Sequence, residues 1–142
     1  MPYRYLPDIA IADAAFEARG RSLEELFSAA ADAALGVMVR RPEDIPPTQR
    51  RPMNAEDPAL DILLFMLLAE IVYYKDADRL LLRCPRPVIR EENGLWRLSA
   101  ELEGGGLEES GELLVDVKAV TLHMLSVEKD TAGWAARVVL DI

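Results

Sequence analysis

Apolar and polar residues change rhythm several times along this chain, and each rhythm predicts a different element. Within residues 10–18, Ala12, Ala14, Phe16 and Ala18 share one face while Asp13, Ala15 and Glu17 share the other. That two-residue period predicts a half-buried strand, which Gly20 ends. A short strand over 3–6 precedes it. From Ser22 the period lengthens. Leu23, Leu26, Phe27, Ala30, Ala34, Leu35 and Met38 form one apolar stripe at helical spacing. Ser22 suits the N-cap of this helix, and Glu25, three residues on, completes a capping box. Residues 40–53 carry Pro42, Pro46, Pro47 and Pro52, so they read as a loop with an edge strand near 49–51. A second helix is expected over 57–74, with Pro58 in its first turn. Leu60, Leu63 to Leu68 and Ile71 leave it little polar surface, so it should sit centrally.

The remainder reads as strands. Residues 80–83 and 88–90 precede Asn93-Gly94, a strong hairpin signal, and 95–103 alternates again. EGGGLEESGE reads as a flexible loop, 113–128 as a long strand region, and 134–140 as the returning strand. Two helices followed by a run of strands predict an α+β fold. The expected form is a two-layer sandwich, with two main helices packed on a largely antiparallel mixed sheet.

Composition narrows the picture. A chain of 142 residues, 51% of them apolar, is expected to form one domain over 1–142 with a real core. No apolar run reaches the length of a membrane span, and MPYRYLPD lacks the apolar centre of a signal peptide. One cysteine, Cys84, excludes an internal disulfide and a cysteine-based zinc site, which suits a reduced, cytoplasmic setting. The net charge of -9 disfavours direct, tight binding of nucleic acid and favours a basic protein partner or a cation.

Candidate chemistry is sparse. Asp13 lies on the polar face of its strand, and Asp141 closes the last strand beside the carboxylate of Ile142. Brought together, these three groups would repel unless a hard cation such as calcium or magnesium neutralised them. Unrelated surface acids are the plainer alternative. Lys118 interrupts an apolar alternation, as an exposed edge charge would. His123 is the only histidine, so no multi-histidine metal site can form within one chain. Glu70 interrupts the second helix, either facing a cleft or lying on a wet edge. Cys84 has no catalytic neighbour in sequence, and Gly104-Gly105-Gly106 lacks the context of a phosphate loop and reads as a linker. No serine elbow and no other enzyme constellation is present.

Taken together, ADAAFEARGRSLEELFSAAADAALGVMV, LDILLFMLLAEIVYYKDADRL, VKAVTLHMLSVE and the terminal WAARVVLDI resemble archease over nearly the whole chain and in order. The resemblance implies a small α/β protein that activates an RtcB-type RNA ligase in tRNA splicing or RNA repair. It would promote guanylylation and multiple turnover with a bound divalent metal, without being the catalyst. Some members have been proposed as chaperones for nucleic-acid methyltransferases, so a metal-stabilised binding module for another such enzyme is the alternative. The family's metal-binding aspartate, seven residues before a glycine, falls on Asp13, and its other ligands fall on Asp141 and the Ile142 carboxylate. Calcium, magnesium or manganese would be the ion. Lys118, His123 and Glu70 match the positions implied for partner contact and activation. The N-terminal motif departs from the family: it reads AIAD over Ala10 to Asp13, without the family's histidine, and Asp8 is the nearest further acid.

Overall fold

The computed structural model describes residues 2–7 and 13–142. Asp8 and the first part of the strand expected over 10–18 lie outside the described residues. The elements run β1 (Tyr3–Tyr5), β2 (Asp13–Gly20), α1 (Leu23–Met38), β3 (Gln49–Asp57), α2 (Leu60–Asp78), β4 (Leu80–Arg83), β5 (Val88–Glu92), β6 (Leu95–Gly106), β7 (Ala119–Val120), β8 (Ser126–Asp130) and β9 (Gly133–Asp141).

The α+β class holds, with two helices on antiparallel sheets, but the strands divide between two sheets instead of sharing one. The first runs β1-β2-β9, with β7 and β8 both along the far side of β9. The second runs β3-β6, with β4 and β5 both along the far side of β6. Every described pairing is antiparallel. One apolar cluster joins the two sheets through the helices, with Phe16, Phe27, Leu64, Leu68, Leu81 and Leu98 in it.

Local chemistry sets the element ends. The Glu25 N–H donates to Ser22 Oγ at 3.1 Å, and Glu25 Oε2 reaches back to the Arg21 N–H at 2.7 Å. The capping box therefore forms, with its return bond one residue earlier than the standard pattern. All seven residues of the predicted α1 stripe are buried. The second helix begins later than expected. Asp57 ends β3 and accepts the Ala59 N–H at 2.8 Å, so Pro58 lies in the bend and α2 starts at Leu60. It also runs on to Asp78, where Arg79 takes the left-handed conformation and closes it.

Three further expectations are corrected. The edge strand near 49–51 continues through Pro52 to Asp57. Proline is tolerated because, among the described residues, β3 pairs only with β6, so its other edge needs no donor. The glycine run is no linker, since Gly104, Gly105 and Gly106 complete β6. A Cβ on Gly104 would lie 1.8 Å from the Leu81 carbonyl oxygen, so the close β4–β6 approach demands a bare backbone. Finally, 113–128 is not one strand. Residues 113–118 form an extended strap outside the sheets, and only β7 and β8 follow, separated by a turn.

Candidate functional site

The strands β2 and β9 pair over their full length, and register places Asp13 directly opposite Asp141. In an antiparallel pair, opposite residues share a face with their Cβ atoms about 4.5–5.5 Å apart. Phe16, Ala18, Val138 and Leu140 turn the core face of the pair inward. The aspartates lie on the other face, in line with Ala15 opposite Val139 and Glu17 opposite Arg137. Both aspartates are half-buried, and among the described residues neither forms an ion pair.

Two like charges directly opposite each other are unfavourable. The Glu17–Arg137 rung four residues along shows the ordinary solution, with opposite signs 4.0 Å apart. On the far side of β9, the rung of Asp141 is completed by Ala119, which supplies no charge. Lys118, one residue earlier, donates its backbone N–H to the Asp141 carbonyl at 2.8 Å and leaves its side chain exposed. The same register carried one step further sets Lys118 opposite Ile142. The Ile142 side chain packs against the core and so fixes the main chain just past β9.

The structure therefore brings Asp13, Asp141, Ile142 and Lys118 to one end of the first sheet. His123 is not on a strand. It is exposed in the turn between β7 and β8, its N–H bonded to Thr121 Oγ1 at 3.3 Å, beside Met124 in the left-handed region. Glu70 is half-buried on α2, and no described contact ties it to the aspartates.

The donors fit a hard cation: they are carboxylate oxygens, as calcium, magnesium and manganese prefer. Among the described residues no three His, Cys, Asp or Glu side chains gather at one point, so at most two acidic side chains meet here. Cys84 is buried, and burial, with Asp32 nearby, pushes its thiol up to about 12, so it stays protonated and unreactive. No described helix is long and apolar enough to cross a membrane.

Sequence reasoning passed over Lys75. It is 5% exposed, and its ammonium lies 2.5 Å from Asp116 and 2.6 Å from Asp76. Its position on the buried stripe of Leu64, Leu68 and Ile71 was the available signal, since a lysine there needs a partner.

Comparison with known proteins bears on the family and the fold. The model of the Archease protein family matches residues 3–142. The protein archease of Methanosarcina barkeri is 34% identical over 142 residues, covering 99% of this chain and 95% of its own. That of Archaeoglobus fulgidus is 34% identical over 143 residues and covers 100% of both. The solution structure of Methanobacterium thermoautotrophicum protein 1598 matches with a TM-score of 0.84 at 28% identity, over 99% of both chains. A Thermotoga maritima crystal structure, described as an archease and possible chaperone, shares the fold with a TM-score of 0.62 at 21% identity, over 94% of this chain and 93% of its own. The chain belongs to the archease family.

Proposed function

We propose that this protein is an accessory activator of an RtcB-type RNA ligase, promoting its guanylylation and multiple turnover. Asp13, Asp141 and the Ile142 carboxylate would hold a divalent cation, calcium, magnesium or manganese. The observation that carries the reading is the Asp13–Asp141 rung, a like-charge pair with no described counter-charge. The cation supplies the positive charge that this pair lacks. The chain's own residues do the rest. Asp141 is fixed by β9, and Ile142 by its half-buried side chain packed against the core. Lys118 stands beside them with an exposed side chain, in no ion pair among the described residues, able to contact a phosphate or an acidic group of the partner.

An activator must make contacts that differ between two states of its partner. An acidic surface carrying a cation suits transient docking at a basic, phosphate-handling active site, whose charge changes when the nucleotide is attached. The test is a multiple-turnover assay of the cognate ligase with GTP and RNA ends, with and without this protein. The proposal expects faster guanylylation and turnover with the wild-type chain, and loss of the gain with Asp13→Asn or Asp141→Asn. Equal rates with and without the wild-type chain contradict it.

A second reading, a chaperone for another nucleic-acid-modifying enzyme such as a methyltransferase, is favoured by one observation. Leu113, Leu114 and Val115 are 51%, 47% and 47% exposed in succession. Suppression of methyltransferase aggregation, lost when these three become serine but kept in Asp13→Asn, would favour it over ligase activation.

A further inference from the structure

The strap between β6 and β7 is held in an unusual way. It pairs with the end of α1: Leu114 N–H donates to Met38 O at 2.8 Å and Val115 N–H to Val37 O at 3.3 Å. The last carbonyls of a helix lack intrahelical donors, and the strap supplies two. A cavity of about 250 Å³ is lined by Met38, Lys75 and Leu107 together with Leu113 to Asp116 of the strap itself. With Leu113, Leu114 and Val115 about half exposed, side-chain packing does little to fix the strap at this point. At the cavity Asp116 meets the Lys75 ammonium; after it Val117 is fully buried, and the Lys118 N–H reaches the Asp141 carbonyl.

Lys75 is the one charged side chain among the buried residues described. A buried ammonium is costly unless it is paired, and both its carboxylate partners are close. Asp76 is its neighbour in sequence and restrains nothing distant. Asp116 lies 41 residues away and belongs to the strap. The ion pair therefore links the last turn of α2 to the segment that ends in Lys118.

We infer that the Lys75–Asp116 pair is a positioning device: it sets where the strap lands, and so holds Lys118 against Asp141. Lys75 touches no partner itself, and acts through Lys118. The inference rests on the reading of Lys118 as an activation residue.

Asp116→Asn is the cleaner test, because the Asp116 side chain is 67% exposed and its loss leaves the core intact. Hydrogen exchange reads the tether without any ligase. The Lys118 amide should exchange about tenfold faster in Asp116→Asn, while the Val138 amide in β9 is unchanged. Ligase stimulation should fall about tenfold in Asp116→Asn and recover in Asp116→Glu. In a Lys118→Ala background the same substitution should add nothing. Unchanged Lys118 exchange overturns the inference, and so does full additivity with Lys118→Ala. A wild-type chain that fails to stimulate the ligase overturns the functional reading and the role given to the pair, whereas the exchange result still decides the tether.

Discussion

Two rungs, one in each sheet, place charged residues directly opposite each other and resolve them differently. In the second sheet Glu56 faces Arg97, 3.4 Å apart, and Arg97 in turn faces Arg90 across β6. The two arginines are a like pair, but Glu56 supplies the counter-charge from the other side. In the first sheet Asp13 faces Asp141, and Asp141 in turn faces Ala119. Among the described residues no counter-charge completes that rung. A sheet that neutralises its charges internally is stable as it stands. A sheet that leaves two acids together retains a local cost, which a ligand can remove. The second sheet thus reads as scaffold and the open end of the first as the place of the proposed site.

The largest effect should come from breaking the scaffold. Gly104→Ala puts a Cβ against the Leu81 carbonyl, where only backbone can yield. We expect a loss of about 3 kcal/mol in thermal or urea unfolding, with unchanged ligase stimulation per folded molecule. Next come the two rungs, with opposite signs. In chelator, Asp13→Asn should raise stability by about 0.2–1 kcal/mol, because it removes a like-charge pair. Glu56→Gln should lower it by about 0.5 kcal/mol or less, since the Glu56–Arg97 pair is exposed. Equal signs in urea titrations at low salt would erase the contrast.

A smaller effect concerns Lys75. Burial disfavours its ammonium, but the bonds to Asp116 and Asp76 outweigh that and raise it above its ordinary value of 10.5. A group raised on folding stabilises fully below its unfolded value and loses that contribution as pH climbs through the folded one. Protection of the Lys118 amide should therefore be flat from about pH 6 to 9, after correction for intrinsic exchange. The smallest effect is none at all: Cys84, pushed up to about 12, should resist iodoacetamide at neutral pH until the chain unfolds.

Local signals were readable where they were self-contained. The Ser22–Glu25 box, the α1 stripe and the Asn93-Gly94 hairpin all depend on residues close in sequence, and all form as expected. The misreadings share a cause, namely a distant partner. Gly104 and Gly105 look like a linker until Leu81 and Pro46 are set against them. The apolar run at 113–115 looks like a strand, yet its backbone serves the end of α1. The division into two sheets depends on β6 collecting β3, β4 and β5, a choice no single segment displays. For the site, Asp13 and Asp141 were individually ordinary, and only family resemblance joined them. Their register is a property of the folded pair. Lys75 was legible as a lysine on an apolar stripe, but its partner, 41 residues on, was not.

The most direct measurement is calorimetric titration of calcium, magnesium and manganese into the metal-free wild-type chain, Asp13→Asn and Asp141→Asn. The account predicts one cation per wild-type chain and none in either variant, with all three chains equally folded by circular dichroism. Identical titrations in all three, or no binding to the wild-type chain, would contradict it.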